Sequence, residues 1–125
     1  MHRTDDNIKT VEKLFQDLVA GKIDAVAAAF DEDAVWEYPA GSALAGKHSG
    51  KAGIRSFLEN LHKTYTAIEV VRLTLRASDD CVFAEYGWVG SRPDGDKHRD
   101  HFLTLVQLGF GKVTAVRQFA MGAVH

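Results

Sequence analysis

The stretch AIEVVRLTLRASDDCVFAEYGWVGSRPDGDKHRDHFLTLVQLGFGKVTAVRQFAM, residues 67–121, decides the fold. It contains four runs with strand character: AIEVVRLTLRA, CVFAEYGWVG, HRDHFLTLVQL and KVTAVRQFAM. Valine, leucine and aromatic residues suit a pleated, half-buried surface. The breaks between the runs carry turn chemistry: SDD, a Pro-Asp-Gly loop in SRPDGDK, and GFG. Connections this short join antiparallel neighbours, so the run reads as a four-strand meander. Strict alternation puts Ile68, Val70, Arg72, Thr74 and Arg76 on one face of the first strand, and Val71, Leu73 and Leu75 on the other.

The residues before Ala67 read differently. Ile8, Val11, Leu14, Phe15, Leu18 and Val19 recur at three and four residues, the apolar stripe of a helix, and Gly21 closes it. An alanine-rich helix is expected over about residues 23–30, and Asp31-Glu32-Asp33 reads as a polar stop. AVWEYP (34–39) reads as a strand closed by Pro39, and AGSALAGKHSG (40–50) as a glycine-rich loop. Ser49 is placed to cap a third helix, whose apolar stripe is Ile54, Phe57, Leu58 and Leu61. Helices followed by an antiparallel meander imply an α+β fold with the helices on one face of the sheet.

Bulk properties narrow the function. A chain of 125 residues fits one domain, 1–125, with one core. The net charge of −2 and the scattered basic residues exclude the electrostatic footprint of a nucleic-acid binder and the basic face of a membrane-surface protein. Cys81 is the single cysteine, so no internal disulfide forms. The opening MHRTDDNIKT lacks the apolar centre of a signal peptide, and no run approaches the ~20 apolar residues of a membrane span. A cytoplasmic protein is expected.

LVAGKIDAVAAAFDEDAVWEYPAG (18–41) followed by LAGKHSGKAGIRSFLENL (44–61) resembles the opening of nuclear transport factor 2-like proteins, in particular the SnoaL-like and ketosteroid-isomerase-like branch. The shared pattern is a helix ending in a small residue and glycine, a second helix ending in Phe, an acidic turn, and a strand ending in Pro. GKV (111–113) opening the last strand fits as well. The resemblance implies a cone: a curved antiparallel sheet wrapped around three helices from the N-terminal half, the cystatin-like α+β barrel. It also implies an apolar pocket at the mouth, a homodimer, and no cofactor. Three residues of the isomerase branch carry over position by position. Its first-helix tyrosine falls on Leu14 or near Phe15, its aspartate base on Tyr38, and its Asp-His-Phe run on Asp100-His101-Phe102. One match in three makes steroid isomerisation itself a poor fit. Tyrosine, with an ordinary pKa near 10, is a weak base at neutral pH.

Asp100 is the leading catalytic candidate. SnoaL-like cyclases place an essential acid on a late strand facing the pocket, and alternation puts Asp100 on the face of Phe102, Thr104 and Val106. A carboxyl inside an apolar cavity becomes a general acid or base near neutrality. The competing reading is a surface ion pair with Lys97 or Arg99. Glu85, mid-strand, either faces inward near Asp100 or sits on the outer face at a dimer contact. Tyr38 is a candidate to donate a hydrogen bond to a substrate oxygen. Trp36, Phe57 and Phe102 are candidates for the apolar wall, and His48 for the rim. No His, Cys or carboxylate spacing matches a metal site, since His98 and His101 fall on opposite faces of one strand. Asp79 and Asp80 beside Cys81 disfavour its thiolate. The expected function is cofactor-independent acid–base chemistry of isomerase, cyclase, dehydratase or hydrolase type. Its substrate would be a small apolar carbonyl or hydroxyl compound. The alternative is a non-catalytic ligand-binding module of the same fold.

Overall fold

The structure, a computed structural model, describes residues 3–41 and 43–121. Ser42, within the glycine-rich stretch, and residues 1–2 and 122–125 lie outside it. The elements run α1 (Arg3–Val19), α2 (Ile23–Ala28), β1 (Phe30–Tyr38), β2 (Gly46–Ser49), α3 (Gly50–Thr64), β3 (Ala67–Ala77), β4 (Cys81–Ser91), β5 (Lys97–Gly109) and β6 (Lys112–Ala120). They form one six-stranded sheet in the order β2-β1-β6-β5-β4-β3, with helices packed against one face. The expected α+β architecture and the four-strand meander, β3 to β6, are both present. Among the described residues, no helix is long and apolar enough to cross a membrane.

The helical stripes form as their periodicity predicts, except that Val19 of α1 is 39% exposed. Val11, Leu14, Phe15 and Leu18 of α1 are buried, as are Ile54, Phe57, Leu58 and Leu61 of α3. They meet the inner faces of the strands, from Trp36 of β1 to Ile68 of β3. Gly21 ends α1 in the left-handed region, φ 75°, where a side chain would be strained.

Three local expectations are corrected. α2 stops at Ala28, and Phe30 opens β1 as a fully buried side chain. The acidic triplet 31–33 is therefore inside β1 rather than a stop before it. Six residues of β1, Phe30 to Val35, span what three residues, Val113 to Ala115, span on β6, so the three exposed acids bulge outward. Part of the glycine-rich stretch is a strand, because β2 pairs with β1, His48 opposite Trp36. Ser49 occupies the N-cap position of α3, but its hydroxyl makes no capping bond.

A fourth correction concerns β3. Strict alternation fails at Arg72, which has φ 56°. Between Val71, opposite Gly87, and Thr74, opposite Glu85, β3 carries one residue more than β4. This bulge returns Leu73 and Leu75 to the face of Ile68 and Val70, so all four pack on or against the core. Gly87 faces the bulge closely: a Cβ there would lie 2.8 Å from a Val71 methyl.

Candidate functional site

The inner sheet face is lined by aromatic side chains from four elements. Trp36 stacks on Phe30 at 5.7 Å between ring centroids and tilts against Phe57 at 4.9 Å. Tyr38, two residues on, touches Phe57 at 5.3 Å and Phe102 at 6.1 Å. His48 of β2 lies 4.5 Å from the Phe57 ring. Its Nε2 is 2.8 Å from the Leu44 carbonyl, which only accepts, so Nε2 carries the proton. Trp36, Tyr38, Phe57, Phe102 and His48, the five inward candidates apart from Asp100, are thus brought together at one end of the cone.

Asp100 joins them. It sits on β5 directly across from Trp88 of β4, on the face of buried Phe102, Thr104 and Val106. Its side chain is 20% exposed. Oδ1 accepts the His101 backbone N–H at 2.9 Å, while Oδ2 lies 3.7 Å from His98 Nε2. Lys97, His98 and Arg99 are all exposed at this end of the hairpin. Asp100 is close enough to Tyr38 to act on its ionisation. Burial, then the neighbouring Tyr65, Tyr86 and Asp100, push the Tyr38 phenol well above its ordinary value. Tyr38 therefore stays neutral and able to donate.

Glu85 does not join the site. Alternation on β4 buries Val82, Ala84, Tyr86 and Trp88 and turns Glu85 outward, 57% exposed, with His101 Nε2 2.8 Å from its carboxylate. Glu85 and Asp100 thus lie on opposite sheet faces and cannot share a ligand. At the far end of β4, burial and then Asp80 hold the Cys81 thiol above its ordinary value, which disfavours the thiolate.

Deeper in the cone lies a chain of polar groups for which the residue patterns suggest no role. Gln118 Oε1 accepts the Trp36 indole N–H at 2.5 Å, and Gln118 Nε2 donates to the Tyr86 hydroxyl at 3.1 Å. The Tyr86 hydroxyl is 2.9 Å from Thr104 Oγ1. All four residues are buried. Burial pushes the Tyr86 phenol up to about 12, against the opposing pull of its Thr104 and Gln118 bonds. Beside this chain, between α1 and the sheet, lies a cavity of about 10 Å³ lined by Leu14, Phe15, Leu18, Trp36, Tyr86 and Thr104 among others. That is close to the smallest space that holds one water. The available signal was Thr104 and Gln118 as polar residues on otherwise apolar strand faces. A polar residue among inward positions is the informative exception to apolar patterning. His98 was legible in the same way, two residues before Asp100 and on its face.

The SnoaL-like domain family matches residues 11–116. The chain belongs to that family. No curated protein is similar enough to count as a relative. Among solved structures, this SnoaL-like chain resembles an NTF2-like protein from Burkholderia xenovorans LB400, with TM-score 0.83 and 22% identity over 94% of this chain and 90% of that one. It also resembles a candidate polyketide cyclase from Xanthomonas campestris pv. campestris, with TM-score 0.81 and 20% identity over 93% and 90%. A third likeness is to TerC, co-crystallised with polyporic acid, with TM-score 0.81 and 19% identity over 92% and 91%. At these identities the likeness shows the fold alone.

Proposed function

We propose that this SnoaL-like protein is a cofactor-independent enzyme that moves a proton on a small, neutral, largely apolar carbonyl or hydroxyl compound. The carrying observation is that Asp100 is the one carboxylate on the inner sheet face among the described residues. In this reading Asp100 is the acid or base. Tyr38, a neutral donor beside it, orients or polarises a substrate oxygen. Trp36, Phe57 and Phe102 form the apolar wall and His48 the rim. The family resemblance to a polyketide cyclase fold supports acid–base chemistry of this kind. The test is a screen of neutral ketones and hydroxy compounds followed by NMR, with Asp100→Asn alongside. Loss of turnover in a folded Asp100→Asn protein supports the reading, and full retention contradicts it.

A second reading has its own support. The interior polar groups satisfy one another, and the cavity beside them holds about one water. A binding module that opens for its ligand needs no more than this. It predicts saturable binding without product, and a change in affinity alone for Asp100→Asn.

The proposed partner is a second copy. The outer sheet face exposes Val71, Phe83 and Phe119 around the Glu85–His101 and Glu37–Arg117 pairs. Light scattering at the monomer mass, 13.7 kDa, would contradict it.

A further inference from the structure

On the reading that Asp100 moves a proton, the structure assigns the relay of that proton to solvent to His98. The two residues are two apart on β5, so they share the inner face, and His98 Nε2 lies 3.7 Å from Asp100 Oδ2. The other carboxylate oxygen is occupied by the His101 backbone N–H. Oδ2 is therefore the oxygen left for chemistry, and His98 is the group beside it.

The surroundings leave this task to the imidazole. Lys97 and Arg99 alternate to the opposite side of the strand, and no lysine or arginine of β4 or β6 turns inward near Asp100. Tyr65 lies 6.3 Å from the His98 ring in a near-parallel stack, and Trp88 lies 6.0 Å away edge-on. Arg92 sits 5.9 Å from the Tyr65 ring, so it faces the tyrosine. Two buried aromatic rings thus hold the imidazole with one edge toward Asp100, and its side chain remains 44% exposed. Asp100 is the more enclosed partner. A separation of 3.7 Å is longer than a hydrogen bond, and catalytic contacts of this kind tighten when a ligand is present.

The step balances on these atoms alone. A proton leaves the ligand and an O–H bond forms at Asp100 Oδ2. That bond breaks as an N–H bond forms at His98 Nε2, and the imidazolium gives the proton to bulk water. Run backwards, the same path reprotonates Asp100 for acid catalysis. Imidazole takes and releases protons readily near neutral pH, which a relay to solvent requires.

The test uses 2-tetralone and 2-indanone, neutral ketones with exchangeable α-protons, in D2O, with deuterium uptake followed by NMR. His98→Gln and His98→Asn should lower kcat on the order of tenfold to a hundredfold at unchanged KM, and added imidazole should restore it. His101→Gln, on the outer face, should behave as wild type. If Asp100→Asn is inactive and both His98 variants exchange at the wild-type rate, the relay is overturned while the Asp100 reading stands. If Asp100→Asn exchanges at the wild-type rate, or wild type does not accelerate exchange, both fall. A rise in KM without imidazole rescue makes His98 a structural residue and overturns the relay.

Discussion

Gln118 bridges Trp36 and Tyr86 through the middle of the cone. Its amide oxygen takes the indole N–H and its amide nitrogen gives to the phenol, across sequence separations of 82 and 32 residues. One side chain therefore ties β1, β4 and β6 together. A buried polar chain is stable only while every member is satisfied.

Gln118→Leu keeps the size and removes both bonds. The indole N–H loses its partner and Tyr86 keeps only Thr104. The expected cost is roughly 1–3 kcal/mol, chiefly the orphaned buried indole N–H. Urea unfolding followed by tryptophan fluorescence measures it. A cost below ~0.5 kcal/mol would mean that the bridge contributes nothing to stability.

Gly90 lets the Trp88 ring fold across β4. A Cβ at position 90 would lie 2.4 Å from the Trp88 ring and 2.5 Å from Tyr65. Gly90→Ala therefore forces both rings to move, at a cost of roughly 1–3 kcal/mol for overpacking. The same shift would disturb the ring contacts of His98. Differential scanning calorimetry should show a lower Tm; an unchanged Tm would contradict this packing.

Arg72 carries the opposite expectation. At φ 56° a side chain is strained, and glycine is not. Arg72→Gly should stabilise the protein by up to ~1 kcal/mol, provided that the bulge is kept. Measured destabilisation would mean that the Arg72 side chain outweighs the strain.

The phenols set an alkaline limit. Tyr86 titrates at about 12 in the folded chain against an ordinary 10, and Tyr38 is raised as well. A raised folded value means that the neutral form is the one folding favours. That stability is complete below about pH 10 and is lost as pH rises toward 12. Ultraviolet titration should show tyrosinate from Tyr86 and Tyr38 appearing late and together with unfolding. Early, reversible ionisation of all three tyrosines without unfolding would contradict the burial.

Much of this was legible in the residues because it is local. The stripes of α1 and α3, the meander turns and the shared face of Asp100 and Phe102 follow from periods of 3.6 and 2. What escaped is non-local. The bulge at Arg72 depends on Gly87 and Glu85 across the sheet. β2 is four residues, GKHS, with little strand propensity, and exists because β1 offers it an edge. The face of Glu85 is not fixed locally, because its outer-face partner His101 lies sixteen residues away. The Gln118 bridge is longer still. The place of His98 beside Asp100, against Tyr65 and Trp88, is non-local in the same way.

The most direct measurement of the central claim compares wild type with Asp100→Asn for deuterium uptake by 2-tetralone and 2-indanone, with circular dichroism confirming the fold. The account predicts acceleration by wild type and a loss of about a hundredfold or more in Asp100→Asn. Equal rates in the two folded proteins would contradict it and leave the binding-module reading in its place.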